Sequence, residues 1–204
     1  MRSTTTIFST GKWIRVTALG WILGIFLVLL LSLVFDALGI EKLQCYIGIA
    51  LGTGVGFVQW RSLRSRTGMG TSWLWSCIAG LGLPFLLFDI LKLMTRIPVS
   101  GAGYLVYSVS LSGLVTGLLQ FRVLRTYGRK ALLWIPATLT GWVLAALTVL
   151  SMDYTRAIGN NLVIFFINLG LILAGGLVLG LLTGPVMSRL WRGSGDIHQR
   201  SEQP

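Results

Sequence analysis

Six long apolar runs separated by short polar connections organise the chain, at about 13–36, 43–60, 72–91, 102–121, 131–152 and 161–183. A helix needs about 20 largely apolar residues to cross the ~30 Å hydrocarbon core of a bilayer, and each run approaches or exceeds that length. The pattern predicts an all-α membrane protein, one domain of six transmembrane helices over 1–192. A polar cytoplasmic tail, 193–204, follows and is expected to be disordered. The first run is too long for a signal-peptide core and lacks a small-x-small site after it, so it reads as a retained helix. Pro84 is expected to kink the third helix and to free backbone carbonyls that then need partners.

Inside these runs a thirteen-residue stretch recurs. Gly52-Thr-Gly-Val-Gly56-Phe-Val-Gln59-Trp60-Arg61-Ser-Leu63-Arg64 returns 61 residues later as Gly113-Leu-Val-Thr-Gly117-Leu-Leu-Gln120-Phe121-Arg122-Val-Leu124-Arg125. Trp13, Trp73 and Trp134 are spaced by 60 and 61 residues, and each is followed seven residues later by Gly20, Gly80 or Gly141. These periods predict three hairpins, about 13–66, 72–130 and 131–192, related by a pseudo-threefold axis along the membrane normal. The third copy keeps Gly176 and Gly180 but has Thr183 where Gln is expected. The pairs Gly52/Gly56, Gly113/Gly117 and Gly176/Gly180 lie one helical turn apart, the small-residue pattern through which membrane helices approach each other closely.

Charge decides orientation. The formal net charge of +11 could suggest nucleic acid, but the basic residues sit in short clusters between the apolar runs, so no nucleic-acid partner is expected. The N-terminus, the loops at 61–71 and 122–130 and the tail hold 13 Lys and Arg, and the remaining loops hold four (Lys42, Lys92, Arg96, Arg156). By the positive-inside rule both termini are expected in the cytoplasm. Arg61, Arg64, Arg122 and Arg125 then face anionic headgroups from helix ends whose dipoles favour cations. Trp13, Trp73 and Trp134, near the same surface, read as interface-belt residues.

Candidate chemistry is sparse. The single histidine, His198, is in the tail, no lysine sits mid-helix, and no paired carboxylates or cysteine clusters occur, so neither a catalytic set nor a cofactor or metal site is expected. Cys45 and Cys77 belong near opposite membrane faces and should not pair. Asp89 lies sixteen residues past Trp73, about 24 Å at helical rise and short of the hydrocarbon thickness. It is either a proton or cation site or is paired with Lys92 at i+3. Tyr104, Ser108, Ser112, Thr116 and Gln120 recur every fourth residue on the fourth helix, a line that borders a polar path or bonds to a neighbouring helix. The second helix has Ile47, Leu51 and Val55 at the matching positions, which argues against a symmetric pore. Asn168 has the same two readings, polar path or helix contact, and Gln59 and Gln120 read as assembly residues among the same candidates.

The tandem Gly-x-x-x-Gly-x-x-Gln-Trp/Phe-x-x-Leu-Arg pattern, with a Trp nine to ten residues on, resembles that of small bacterial multi-pass membrane proteins, including cyanobacterial ones, of uncharacterised function. The resemblance covers mainly 52–141 and implies a prokaryotic cytoplasmic-type membrane without assigning an activity. The expected role is that of a non-catalytic accessory or assembly subunit, with a membrane-protein partner or a homo-oligomer. A small-solute permease or channel using Asp89 and the fourth-helix line is the alternative.

Overall fold

A segment surrounded by hydrocarbon has no water to pair its N–H and C=O groups, and an α-helix satisfies them internally. The computed structural model describes residues 9–40, 43–95, 102–127 and 129–200, with backbone alone at 102, 103, 129, 156 and 192–200. Its helices are α1 (Thr10–Ala37), α2 (Cys45–Thr67), α3 (Ser72–Thr95), α4 (Ala102–Leu124), α5 (Trp134–Leu150), the single-turn α6 (Met152–Thr155) and α7 (Asn161–Arg200). No strand occurs among the described residues. α7 stays helical to Arg200, past Gly193 where the disordered tail was expected to begin. Residues 201–204, Arg2, Lys42 and Arg96 lie outside the described residues.

Five of these helices are long and apolar enough to cross a membrane, as an integral membrane protein requires. α2 is the exception among the six expected spans. It has 23 residues, but glycine at 48, 52, 54 and 56, together with Thr53, Gln59 and its arginines, fills positions that a lipid-facing span gives to Leu or Ile. Its place in the bundle explains the composition: α2 is packed between α1 and α3 and buries Gly48, Gly52, Gly54, Gly56 and Gln59.

Each long helix packs on two others, α1 on α2, α2 on α3, α3 on α4, α4 on α5, α5 on α7 and α7 back on α1, so the six form a closed ring. Glycines set the spacing. A Cβ on Gly52 would lie 2.6 Å from the Cys77 carbonyl oxygen, and one on Gly56 2.6 Å from Cys77 Cβ, both on α3. Gly113 and Gly117 face Leu139 and Ile135 of α5, and Gly176 and Gly180 face Trp21 and Ile14 of α1. On the opposite faces of α1, α3 and α5, Gly20 meets Val55, Gly80 meets Thr116 and Gly141 meets Leu179. Leu or Val at these positions would hold the backbones apart, and close approach is what binds helices where lipid is as apolar as the side chains.

Gly68 ends α2 in the left-handed conformation at φ 67°, and its N–H donates to the Arg64 carbonyl. At the other end of the bundle, the Asn160 side chain accepts from Leu162 N and Val163 N and so caps the start of α7. Pro84 lies within a helix that continues to Thr95. Ser112 Oγ donates to Leu81 O at 3.1 Å, next to the carbonyl of Gly80 that the missing proline N–H leaves without its donor.

Candidate functional site

Where the helices converge, the recurrent residues meet on the ring axis. Trp13, Trp73 and Trp134 are 0, 0 and 1% exposed, and their rings pack edge to face with centroids 5.6–6.2 Å apart. They are not interface-belt residues. The local pattern of an indole at the end of an apolar run beside basic residues is common to both situations, but here the rings point inward and plug the basic end of the ring. Leu63, Leu124 and Met187, each 0% exposed, complete the plug together with Met69, Ala131, Leu190 and Trp191.

A buried indole N–H needs an acceptor, and each of the three has one on the helix that precedes it around the ring. Trp73 Nε1 donates to Gln59 Oε1 at 3.2 Å, Trp134 Nε1 to Gln120 Oε1 at 2.8 Å, and Trp13 Nε1 to Thr183 Oγ1 at 2.9 Å. The glutamine amides reach onward: Gln59 Nε2 donates to Thr17 Oγ1 at 3.0 Å and Gln120 Nε2 to Cys77 Sγ at 3.1 Å. Thr17, Cys77 and Thr138 each lie four residues past an axial Trp. Thr183 is too short to reach the third of them, and Thr138 Oγ1 is buried without a partner. Cys45 and Cys77 are both free thiols, as their expected separation implied.

The asymmetry makes a prediction. Thr17→Val removes the acceptor of a buried amide and should destabilise by about 1–2 kcal/mol, whereas Thr138→Val removes a hydroxyl that bonds to nothing and should change stability by less than about 0.5 kcal/mol. Denaturant titration of both variants in one detergent compares them.

Asp89 is 1% exposed and fully engaged. Its Oδ2 accepts from Gln44 N at 2.8 Å and Cys45 N at 2.7 Å, and its Oδ1 accepts from Tyr104 Oη at 2.7 Å. The carboxylate therefore caps the start of α2, where backbone N–H groups have no partner in the helix and the dipole favours negative charge. The i+3 pairing with Lys92 is not what forms: the Lys92 ammonium sits 5.8 Å from the centre of the Tyr104 ring. Tertiary donors on two other helices displaced the local partner.

The fourth-helix line is buried along its length, with Tyr104, Ser108, Ser112, Thr116 and Gln120 between 0 and 3% exposed. It runs along the contact with α3. Tyr104 bonds to Asp89, Ser112 to Leu81 O, Gln120 to Cys77, and Thr116 lies against Gly80. Ser108 and Thr116 hydroxyls have no hydrogen-bond partner. Asn168 accepts from Thr155 Oγ1 at 2.8 Å, fastening α7 to α6. Arg61, Arg64, Arg122 and Arg125 are exposed at the plugged end, with Arg64 stacked 5.3 Å over Trp60.

The candidate residues thus divide into an axial ladder, an Asp89 cap at the opposite end, and a surface set of arginines. No group of His, Cys, Asp and Glu among the described residues could hold a metal ion. The axial role of the three tryptophans and of Thr17, Thr138 and Thr183 was the part that sequence reasoning missed. A signal for it existed, since Gln59 precedes Trp73, and Gln120 precedes Trp134, by the same 14 residues.

Fold and site together define an all-helical membrane bundle with an internally bonded axis. No protein-family model, curated protein or solved structure matches the chain.

Proposed function

We propose that the chain is a non-catalytic multi-pass membrane protein acting as an accessory or assembly subunit of a membrane complex. The observation that carries this reading is the fate of the recurrent side chains: glycines, tryptophans and glutamines are all engaged inside the ring, holding one helix to the next. In this proposal the unit is three hairpins, α1–α2, α3–α4 and α5–α7, about a pseudo-threefold axis. Support comes from the matching contacts of Gly20, Gly80 and Gly141 and from the three indole bonds.

Both termini are placed in the cytoplasm of a prokaryotic cytoplasmic-type membrane, with Arg61, Arg64, Arg122 and Arg125 against anionic headgroups. Alkaline phosphatase fused after Arg125 should be inactive and after Arg156 active; the reverse result reverses the topology. Purification in mild detergent with mass spectrometry tests the subunit role. A stoichiometric membrane-protein partner is expected, and a monomer that recovers alone at all detergent strengths counts against it.

The permease reading would carry a small solute along the α4 line past Asp89. The engagement of Asp89 and the packing of that line against α3 weigh against it, as does the tryptophan plug across the axis.

A further inference from the structure

Beyond the tryptophan ladder, in the half of the ring away from the arginines, the axis is not filled. A cavity of about 250 Å³ opens there, lined by all six long helices. Its floor includes Trp21 and Trp142, whose ring centroids lie 5.6 Å apart. Every lining side chain is apolar or an indole, and the Trp21 N–H is turned into a bond to Ile172 O at 2.8 Å.

The sequence shows why the space exists. Twelve residues past each axial Trp stand Ile25, Phe85 and Ala146, all three on the cavity wall. Alanine at the third leaves unfilled the volume that a large side chain occupies at the other two. Protein interiors are close-packed, and an empty volume of this size is strongly unfavourable. Water does not fill it, because a water needs two to four polar partners and an apolar cavity of even about 150 Å³ stays dry and takes up hydrocarbon.

The lining narrows the occupant. Leu29 lines the cavity and is 60% exposed, and Ile47, Leu105 and Val149 line it within four residues of the ends of α2, α4 and α5, so the cavity reaches from the axis toward the outer face of α1 and the end of the ring. Leu29 lies eight residues short of the end of α1, about 12 Å inside it, and sixteen residues past Trp13. Around it on α1, Phe26, Leu30 and Leu33 are 62, 47 and 68% exposed. Side chains of this kind on the outside of a helix long and apolar enough to span a membrane face lipid tails rather than water. From Trp21 to Leu29 the cavity is about 12 Å deep, a shape that suits a flexible chain.

We propose that this cavity is a binding site for one acyl chain of a membrane phospholipid, which lies along Leu29 and Ile25 and ends against Trp21 and Trp142. The site is independent of the subunit role, since a chain bound here leaves the outer surface of the ring unchanged.

The test uses the full-length protein in nanodiscs containing phosphatidylglycerol with a diazirine at the end of its palmitoyl chain. After irradiation, peptide mapping should find label on Trp21, Phe85 or Trp142 as well as on the exposed face of α1. Ala146→Phe, which fills the wall, should lower axial labelling at least fivefold and leave labelling of the α1 face unchanged. Label confined to outward-facing residues of the unaltered protein overturns the proposal, and this arm needs no variant to fold. Axial labelling by a photoreactive prenol but not by the phospholipid also overturns it, because the site would then select an isoprenoid.

Discussion

Gly54→Ala is expected to destabilise the protein by about 3 kcal/mol or more, the upper end of what a buried overpacking substitution costs. The single added methyl would fall on the backbone of Gly24, where α1 and α2 cross, with the Gly20 carbonyl oxygen 2.7 Å away. Backbone cannot rotate aside as a side chain can, so the helices must separate along the whole seam. The graded comparison is Gly117→Ala. There the nearest atoms, Ile135 Cα and O, are 3.2 Å away, and a shift of a few tenths of an ångström relieves the contact at about 1 kcal/mol. Thermal unfolding of the two variants in the same detergent should rank them in that order. Equal midpoints would mean that the α1–α2 seam is looser than its geometry.

Asp89→Ala is the second large effect, expected at about 3–5 kcal/mol, because three donors lose their acceptor together in a buried site. The N–H groups of Gln44 and Cys45 and the hydroxyl of Tyr104 would remain. Asp89→Asn should be much milder. Its amide oxygen can accept both backbone N–H groups and its NH₂ can donate to Tyr104 Oη, whose own hydrogen then turns to the Phe85 carbonyl at 3.4 Å, so the main loss is the charge interaction with the α2 dipole, about 0.3–2 kcal/mol. A proton- or cation-carrying Asp89 leaves the stability of the Asn variant equally intact but loses an activity with it. Proton or cation uptake by liposomes holding the unaltered protein, abolished by Asp89→Asn, marks a carrier; uptake that is absent or unchanged marks a cap.

The helices were legible because hydrocarbon demands long apolar runs, and those runs coincide with α1, α3, α4, α5 and α7. The run at 43–60 reads as a spanning segment too, but α2 falls short of the others because its glycines and polar residues serve contact with α1 and α3 rather than with lipid. Partner identity was not legible. That Gly52 meets α3 while Gly20 meets α2 depends on the order of helices around the ring, which no local spacing encodes. Asp89 illustrates the same limit: Lys92 at i+3 is the partner that one helix alone can offer, and the real donors come from α2 and α4. Tryptophan misled because its polar N–H and apolar rings suit a headgroup boundary and a bonded core equally well.

The bond from Trp13 to Thr183 spans 170 positions and belongs to the seam between the first long helix and the last. During synthesis α1 leaves the ribosome long before α7 exists, so the bond to Thr183 is among the last contacts of the axis to form. A ring that ends by joining its two extremes has no finished sub-assembly: losing the last helix opens the axis from end to end.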